Sequence, residues 1–268
     1  MSLTTDYKSY QKGAIFKGAP HMEKRLTKKE AEAILKCHSA LYLRNVYDFD
    51  CQEETNFWFV IKDTTLELKD LSAKCRNQVR KAYKTFDFRL VSKEDMINQG
   101  GYEVYKSSWS RYKTTQSQPL VRKKWVEHML NNSEEYYGAF EKESGSLVAY
   151  CAVLIQNESA KYTEMKANPD HLRYYPFYGL IFYLNHLLID ERKMLYITDG
   201  ARTISEHSNI QPFLEQKFLF RKAYCHLKVY YPWYIYLGIK LLRPLCRLLP
   251  EKGQYLLKLD SFQRPVSL

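Results

Sequence analysis

Residues 208–224 read SNIQPFLEQKFLFRKAY. A serine precedes a short run carrying Phe213, Leu214 and Phe218, and Phe220-Arg221-Lys222 then opens a segment of strand character. Serine is a favoured N-cap, so Ser208 is expected to cap a helix over residues 209–218. That cap leaves the first backbone N–H groups, beside Asn209 and Gln211, free to hold an anion or polarise a carbonyl. Leu219 stands where a helix often turns off through a left-handed glycine, so this helix must end without that easy cap. A core helix beside a core strand needs no chemistry. The order of elements leading up to it decides the fold.

Residues 194–197 form a buried strand closed by an Asp199-Gly200 turn, and residues 177–189 form the most apolar helix of the chain. Before them lie three strands, 136–141, 147–155 and 161–167, joined by the polar turns 142–146 and 156–160. In the middle strand Val148, Tyr150, Ala152 and Leu154 alternate with Ala149, Cys151, Val153 and Ile155. Both faces are apolar, which marks a central strand covered on both sides. Helices are expected over residues 102–112 and 120–130, a short strand over 88–91, and a last strand over 219–231. From the short strand onward the string is β-α-α-β-β-β-α-β-α-β, an α+β chain of the α/β sandwich type with a central mixed sheet flanked by helices.

The first 70 residues are mixed and look like an incomplete lobe. Thr27-Lys-Lys-Glu30 is a capping box opening a short helix, and residues 56–61 read as a strand. In LSAKCRNQVRKAYKTF, residues 71–86, helical spacing puts Cys75, Val79, Ala82, Tyr83 and Phe86 on one arc. Lys74, Arg76, Arg80, Lys81 and Lys84 take the opposite side with no acidic residue among them. That side is either a solvated face or an anion-binding ridge.

The 268 residues are 45% hydrophobic, enough for a packed core, and the formal net charge of +11 calls for an anionic partner: nucleic acid, phospholipid or a phosphorylated ligand. The six cysteines include no C-x-x-C, and Cys37-His38 and Cys225-His226 each lack a second close pair to build a zinc site, so reduced thiols and no metal are expected. No window of 18 residues is free of charge and no apolar run opens the chain, so a soluble cytoplasmic protein is expected. Residues 232–268 form an amphipathic tail. Lys240, Arg243 and Arg247 share one helical side and Leu241, Leu242, Leu245, Leu248 and Leu249 the other, with Pro244 kinking and Pro250 ending the helix. The tail either docks on the core or lies on an anionic membrane through residues 232–249.

The element order over about residues 88–231 resembles the GNAT N-acyltransferase fold. Two local stretches sharpen the likeness. S-x-K-x-R-N-x-x-R-K-A, at Ser72 to Ala82, is similar to the segment opening the second lobe of Fem-type aminoacyltransferases, which carry two GNAT-like lobes and transfer amino acids to peptidoglycan precursors. DGAR, at Asp199 to Arg202, with the stretch quoted first, resembles the fifth strand, fourth helix and sixth strand of that superfamily. The resemblance implies a partial lobe over residues 1–70, an acyltransferase domain over 71–231 and the tail beyond. It also implies that Phe213, Phe218 and Phe220 wall a V-shaped gap between two parallel strands, where an acyl donor sits. The usual glycine-rich donor loop of the coenzyme A users is replaced here by Asn168-Pro-Asp-His-Leu-Arg-Tyr-Tyr-Pro-Phe-Tyr-Gly179. Arg173, Tyr178 and Gly179, with Ser208 and Asn209, become the candidate donor contacts. The donor implied is acetyl-CoA, another acyl-CoA or an aminoacyl-tRNA.

The chemistry of the fold is attack of an amine on an activated acyl carbon, which needs a base, oxyanion donors and help for the leaving group. Glu164, a carboxylate in a mostly apolar strand, is the first candidate base and Asp199 the second; Glu164 equally fits a partner for Lys161 or Lys166. Arg202 and His207, in a polar loop at the same edge, are candidate substrate contacts. The acceptor expected is an amine of a cell-envelope or polysaccharide precursor, lipid-linked if the tail meets the inner face of a membrane. The alternative is an inactive GNAT-like module whose basic helix and tail bind RNA or an anionic membrane.

Overall fold

The computed structural model describes residues 3–111, 119–204, 209–244 and 251–264. Strands β1 (Tyr7–Tyr10) and β2 (Gly13–Phe16) form a tight hairpin whose two turn residues, Gln11 and Lys12, both have positive φ. Helix α1 (Lys28–Cys37) starts on the expected capping box: the Thr27 hydroxyl accepts from the Glu30 amide at 3.3 Å, and Glu30 accepts from the Thr27 amide at 2.7 Å. Then come β3 (Leu43–Tyr47), β4 (Trp58–Lys62), α2 (Ala73–Thr85) and β5 (Phe86–Val91). Three helices follow, α3 (Lys93–Asn98), α4 (Gly101–Ser108) and α5 (Arg122–Asn131), leading into β6 (Glu135–Glu141), β7 (Leu147–Gln156) and β8 (Ser159–Ala167). Helix α6 (Pro176–Asn185) runs on into a π-helical turn, His186–Glu191, before β9 (Tyr196–Ala201) and α7 (Ile210–Phe218). The chain continues through β10 (Arg221–Tyr224), β11 (His226–Tyr230), α8 (Trp233–Leu242) and α9 (Glu251–Ser261).

The chain divides into two compact units. The first takes residues 1–60, 201–206 and 222–268, and the second takes 61–200 and 207–221. The first unit holds a four-stranded sheet of order β1-β2-β3-β11, with β2 and β3 parallel and β3 and β11 antiparallel. The apolar side of α1, Ala31, Ile34 and Leu35, packs with Tyr7, Ala14 and Leu43 as its core.

The second unit is built on strands β9-β8-β7-β6-β5 of a sheet of order β10-β4-β9-β8-β7-β6-β5. Strands β5 to β8 form an antiparallel meander, and β8 to β9 is a parallel step. On one face Met96, Val104, Tyr105, Trp125 and Met129 from α3, α4 and α5 bury Tyr136, Tyr150 and Ala152. On the other, α6 lies close enough to β5 and α2 that a Cβ at Gly179 would meet Phe88 Cζ at 2.1 Å and Ala82 Cβ at 2.9 Å. Strand β7 is covered on both faces, as its double apolar alternation requires.

Three local readings are corrected. Asp199-Gly200 is no turn: β9 runs through both residues to Ala201, with Gly200 at φ +101°. The single strand expected over residues 219–231 breaks at Cys225 into β10 and β11, which belong to different sheets. Asn209, not Ser208, occupies the N-cap position of α7, and it makes no side-chain cap hydrogen bond. Ser208 and His207 lie outside the described residues, as do Leu245, Arg247, Leu248, Leu249 and Pro250 of the tail.

Candidate active site

The site is set by what happens to β8 after its first three residues. It pairs with β9 only through Ser159–Tyr196, Ala160–Ile197 and Lys161–Thr198, while on its other edge it stays paired with β7 as far as Ala167. Two residues past the last β9 pair, the β7 register skips Thr163: Val153 faces Tyr162 and Ala152 faces Glu164. The extra residue is a β-bulge, held by the Thr163 hydroxyl donating to the Ala152 carbonyl at 3.2 Å. A bulge bends its strand and steepens the twist, so β8 turns away from β9 where their ladder stops. The expected divergence of these two strands is therefore present, within the second unit.

Glu164 follows the bulge, on the face covered by α4. The Tyr150 hydroxyl donates to its Oε1 at 2.5 Å, and Lys166 Nζ stands 3.9 Å from its Oε2. The Lys166 ammonium also lies over the rings of Tyr105, at 5.7 Å, and Trp109, at 4.9 Å. Burial, then the Glu164 charge, pushes the Tyr150 phenol well above its usual value, so it remains a donor. Glu164 keeps a third of its side chain exposed. A carboxylate with both oxygens oriented and one open edge suits proton removal from an ammonium. Its pairing with Lys166, the structural alternative, is present as well.

Asp199 is elsewhere. It lies two residues beyond Ile197, which pairs with Ala160, so strand alternation puts it on the opposite face from Lys161 and Glu164. The two candidate carboxylates do not share one face. Burial pushes the Asp199 carboxyl up to about 7, against the opposing hydrogen bond from Gln211 of α7 and the charge of Lys161. On the same face Tyr162 is buried, its hydroxyl without a hydrogen-bond partner among the described residues. Beside it an aromatic cluster forms: Tyr178 meets Phe213 at 5.1 Å and Phe218 at 5.6 Å, and Phe220 meets Tyr162 at 6.3 Å. Tyr178 serves this cluster, and Gly179 serves the seat of α6 on Phe88.

The segment expected to hold a phosphate is a 3-10 helix, Pro169–Tyr174, followed by Tyr175 in the left-handed region at φ +64°. It offers few bare amides. Pro176 has no N–H, and the amides of Tyr178 and Gly179 already donate to the Tyr175 carbonyl, at 3.0 and 3.4 Å. A phosphate grip on backbone amides does not fit here; cationic side chains would have to supply it. Arg173 is exposed, and Lys81 of α2 donates to its carbonyl at 3.2 Å while lying over the rings of Tyr174 and Tyr175, each at 5.3 Å. Lys74, Arg80 and Lys84 are exposed and Arg76 half-buried along α2, whose Cys75, Val79 and Ala82 are buried. Arg202, in the first unit, is instead packed between the rings of Trp58, at 4.3 Å, and Phe262, at 4.1 Å, and donates to the Asn56 carbonyl.

The hydrogen bonds from Tyr150 to Glu164 and from Gln211 to Asp199 escaped the sequence reading, whereas Lys166 was expected as a partner for Glu164. Tyr150 faces Lys166 through the β7–β8 register, which no local pattern announces. Gln211 sits in the stretch quoted first, and an amide in the first turn of a helix aimed at a strand end was the available signal.

Among solved structures the chain is similar to FemX, with a TM-score of 0.55 at 10% identity over 82% of this chain and 77% of that one. The fold is similar to that of FemX. A weaker likeness is to L-PGS from Bacillus licheniformis, with a TM-score of 0.47 at 13% identity over 88% of this chain and 77% of that one. Another is to a DUF2156 domain from Agrobacterium fabrum, with a TM-score of 0.40 at 12% identity; 65% of this chain is covered, and it spans 50% of that one. No protein-family model matches the sequence, and no curated protein matches it. At these identities the likeness concerns the Fem-like fold alone.

Proposed function

We propose that the chain is a Fem-related N-acyltransferase, moving an acyl or aminoacyl group from an activated donor to an amine of a cell-envelope or polysaccharide precursor. The observation that carries this reading is the splayed β8–β9 pair with Glu164 at its bulge. The Fem-like fold supports it. In this reading Glu164 takes a proton from the acceptor ammonium, the freed nitrogen attacks the acyl carbon, and the bond to the leaving group breaks as the nitrogen sheds its second proton to solvent. Backbone amides beyond the last β8–β9 pair face the developing oxyanion. Asp199, with a carboxyl that titrates near neutrality, returns a proton to the leaving group from the opposite face. A groove of about 500 Å³ lined by Gln99, Glu103, Ser107, Ser146 and Asn168 offers room for a hydroxylated acceptor.

Lys81, Arg173 and the α2 cations would hold donor phosphates. The lack of free amides at the start of α6 favours an aminoacyl-tRNA over acetyl-CoA or another acyl-CoA, because side-chain cations suit a long phosphate backbone. We also take residues 1–70 as a partial first lobe. A lipid-linked acceptor would bring the enzyme to the inner, cytoplasmic face of a membrane.

The test is incubation with a panel of amino-sugar acceptors and either radiolabelled acetyl-CoA or aminoacyl-tRNA. Transfer is expected with one donor, and Glu164→Gln should lower it by about a hundredfold or more without changing the melting temperature. No transfer and no binding of either donor would sink the proposal. The same amide shortage favours one competitor, an inactive module binding RNA or an anionic membrane; for that reading Glu164→Gln changes nothing measurable.

A further inference from the structure

Among the described residues, α8 carries the most exposed large apolar side chains of any one helix. Trp233 is 77% exposed, Leu241 65%, Tyr236 57%, Tyr234 53% and Leu237 49%. At 100° per residue these five fall within an arc of roughly 160°, with Lys240 the only charge inside it. The back of the helix is fixed to its own unit. Ile239 is buried, and Arg243, just past the last turn, pairs at 2.7 Å with Asp260, whose side chain is 4% exposed. Gln263 also donates to Asp260, at 2.8 Å, so the anchoring carboxylate is fully engaged. The apolar arc is thus held outward by a built support on α9, where Leu257 and Leu259 are buried.

The charge around α8 says what covers it. From Pro232 to Pro250 the sequence holds three cations, Lys240, Arg243 and Arg247, and no aspartate or glutamate. A second copy of the chain would bring the same positive excess and be repelled. A negatively charged surface with an apolar layer beneath it satisfies both features. Trp and Tyr are the side chains that settle at the headgroup level, and a lysine amid leucines can reach back to the phosphates. No helix among the described residues is long and apolar enough to cross a membrane, so the mode is lying on, not spanning.

We propose that α8 lies flat on an anionic phospholipid bilayer, with Trp233, Tyr234, Tyr236, Leu237 and Leu241 inserted at the headgroup boundary. The contact is independent of acyl transfer and can stand or fall without it.

Co-sedimentation of the full chain with phosphatidylcholine–phosphatidylglycerol vesicles, against phosphatidylcholine alone, tests it. The wild type should bind the anionic vesicles preferentially. The variant Trp233→Ser/Leu237→Ser/Leu241→Ser should lose about a hundredfold in partitioning, and Lys240→Gln about fivefold. Tryptophan emission should be quenched by brominated lipid in the wild type and much less in the folded variant Trp233→Phe. Absence of wild-type binding, equal binding to neutral vesicles, or undiminished binding by the triple variant would overturn the proposal. So would a dimer in sedimentation velocity that the triple variant abolishes, which would make a second copy the occupant.

Discussion

Leu219 shows how one residue can carry a cost that its sequence context announces. It ends α7 at φ 56°, ψ 34°, the left-handed conformation in which an L side chain with a Cβ crowds its own backbone. Its amide still donates to Leu214, so the helix keeps its closing turn despite the residue. The side chain is 48% exposed, so little packing repays the conformation. Leu219→Gly should therefore stabilise the protein by about 1 kcal/mol, read as a higher urea midpoint with unchanged slope. An unchanged or lowered midpoint would mean that the leucine side chain contributes more than its backbone costs.

At the scale of elements, the seat of α6 and the bend of β8 define the second unit. Gly179 lets α6 approach until the Phe88 ring occupies the place of a side chain. Gly179→Ala must push the helix or the ring aside, and should cost about 1–3 kcal/mol in thermal unfolding. A melting curve identical to wild type would show that the contact is looser than its geometry. Both strand edges and helix faces in this region were legible where periodicity is local: residues 136–141, 147–155 and 161–167 emerged from alternation between polar turns, and all three are strands. Helix α3 was missed although Ser92 caps it through the Asp95 amide at 2.9 Å, an S-x-x-D signal present in the sequence. The break at Cys225 had no such signal. Residues 219–231 are uniformly strand-like, and only distant partners, β4 for one half and β3 for the other, divide them. For the same reason Glu164 could be picked out as a carboxylate in an apolar strand, with Lys166 as a possible partner, while the hydrogen bond from Tyr150 could not. Asp199-Gly200 has the composition of a turn, and sheet pairing overrode it.

For the molecule as a whole, stability should depend on pH through a carboxylate of the first unit. Glu23 is buried in the first unit, accepting from Asn45 Nδ2 at 3.1 Å and from the Tyr7 hydroxyl at 3.5 Å. Burial pushes its carboxyl from 4.5 up to about 7, more than the Asn45 hydrogen bond pulls it down. The folded chain thus holds this proton more tightly than the unfolded one. Its contribution is complete below pH 4.5 and is lost as pH rises through 7, by about 3 kcal/mol over the window. Urea unfolding at pH 5 and pH 8 should show that loss, and Glu23→Gln should flatten it; an equally steep dependence in the variant would assign it to other groups. The pairing of β3 with β11, in which Tyr47 meets His226, has a further consequence during synthesis on the ribosome. Strand β3 must wait, with one edge bare, until β11 at His226–Tyr230 has emerged. That interval is when this protein is most open to wrong strand partners and most in need of a chaperone.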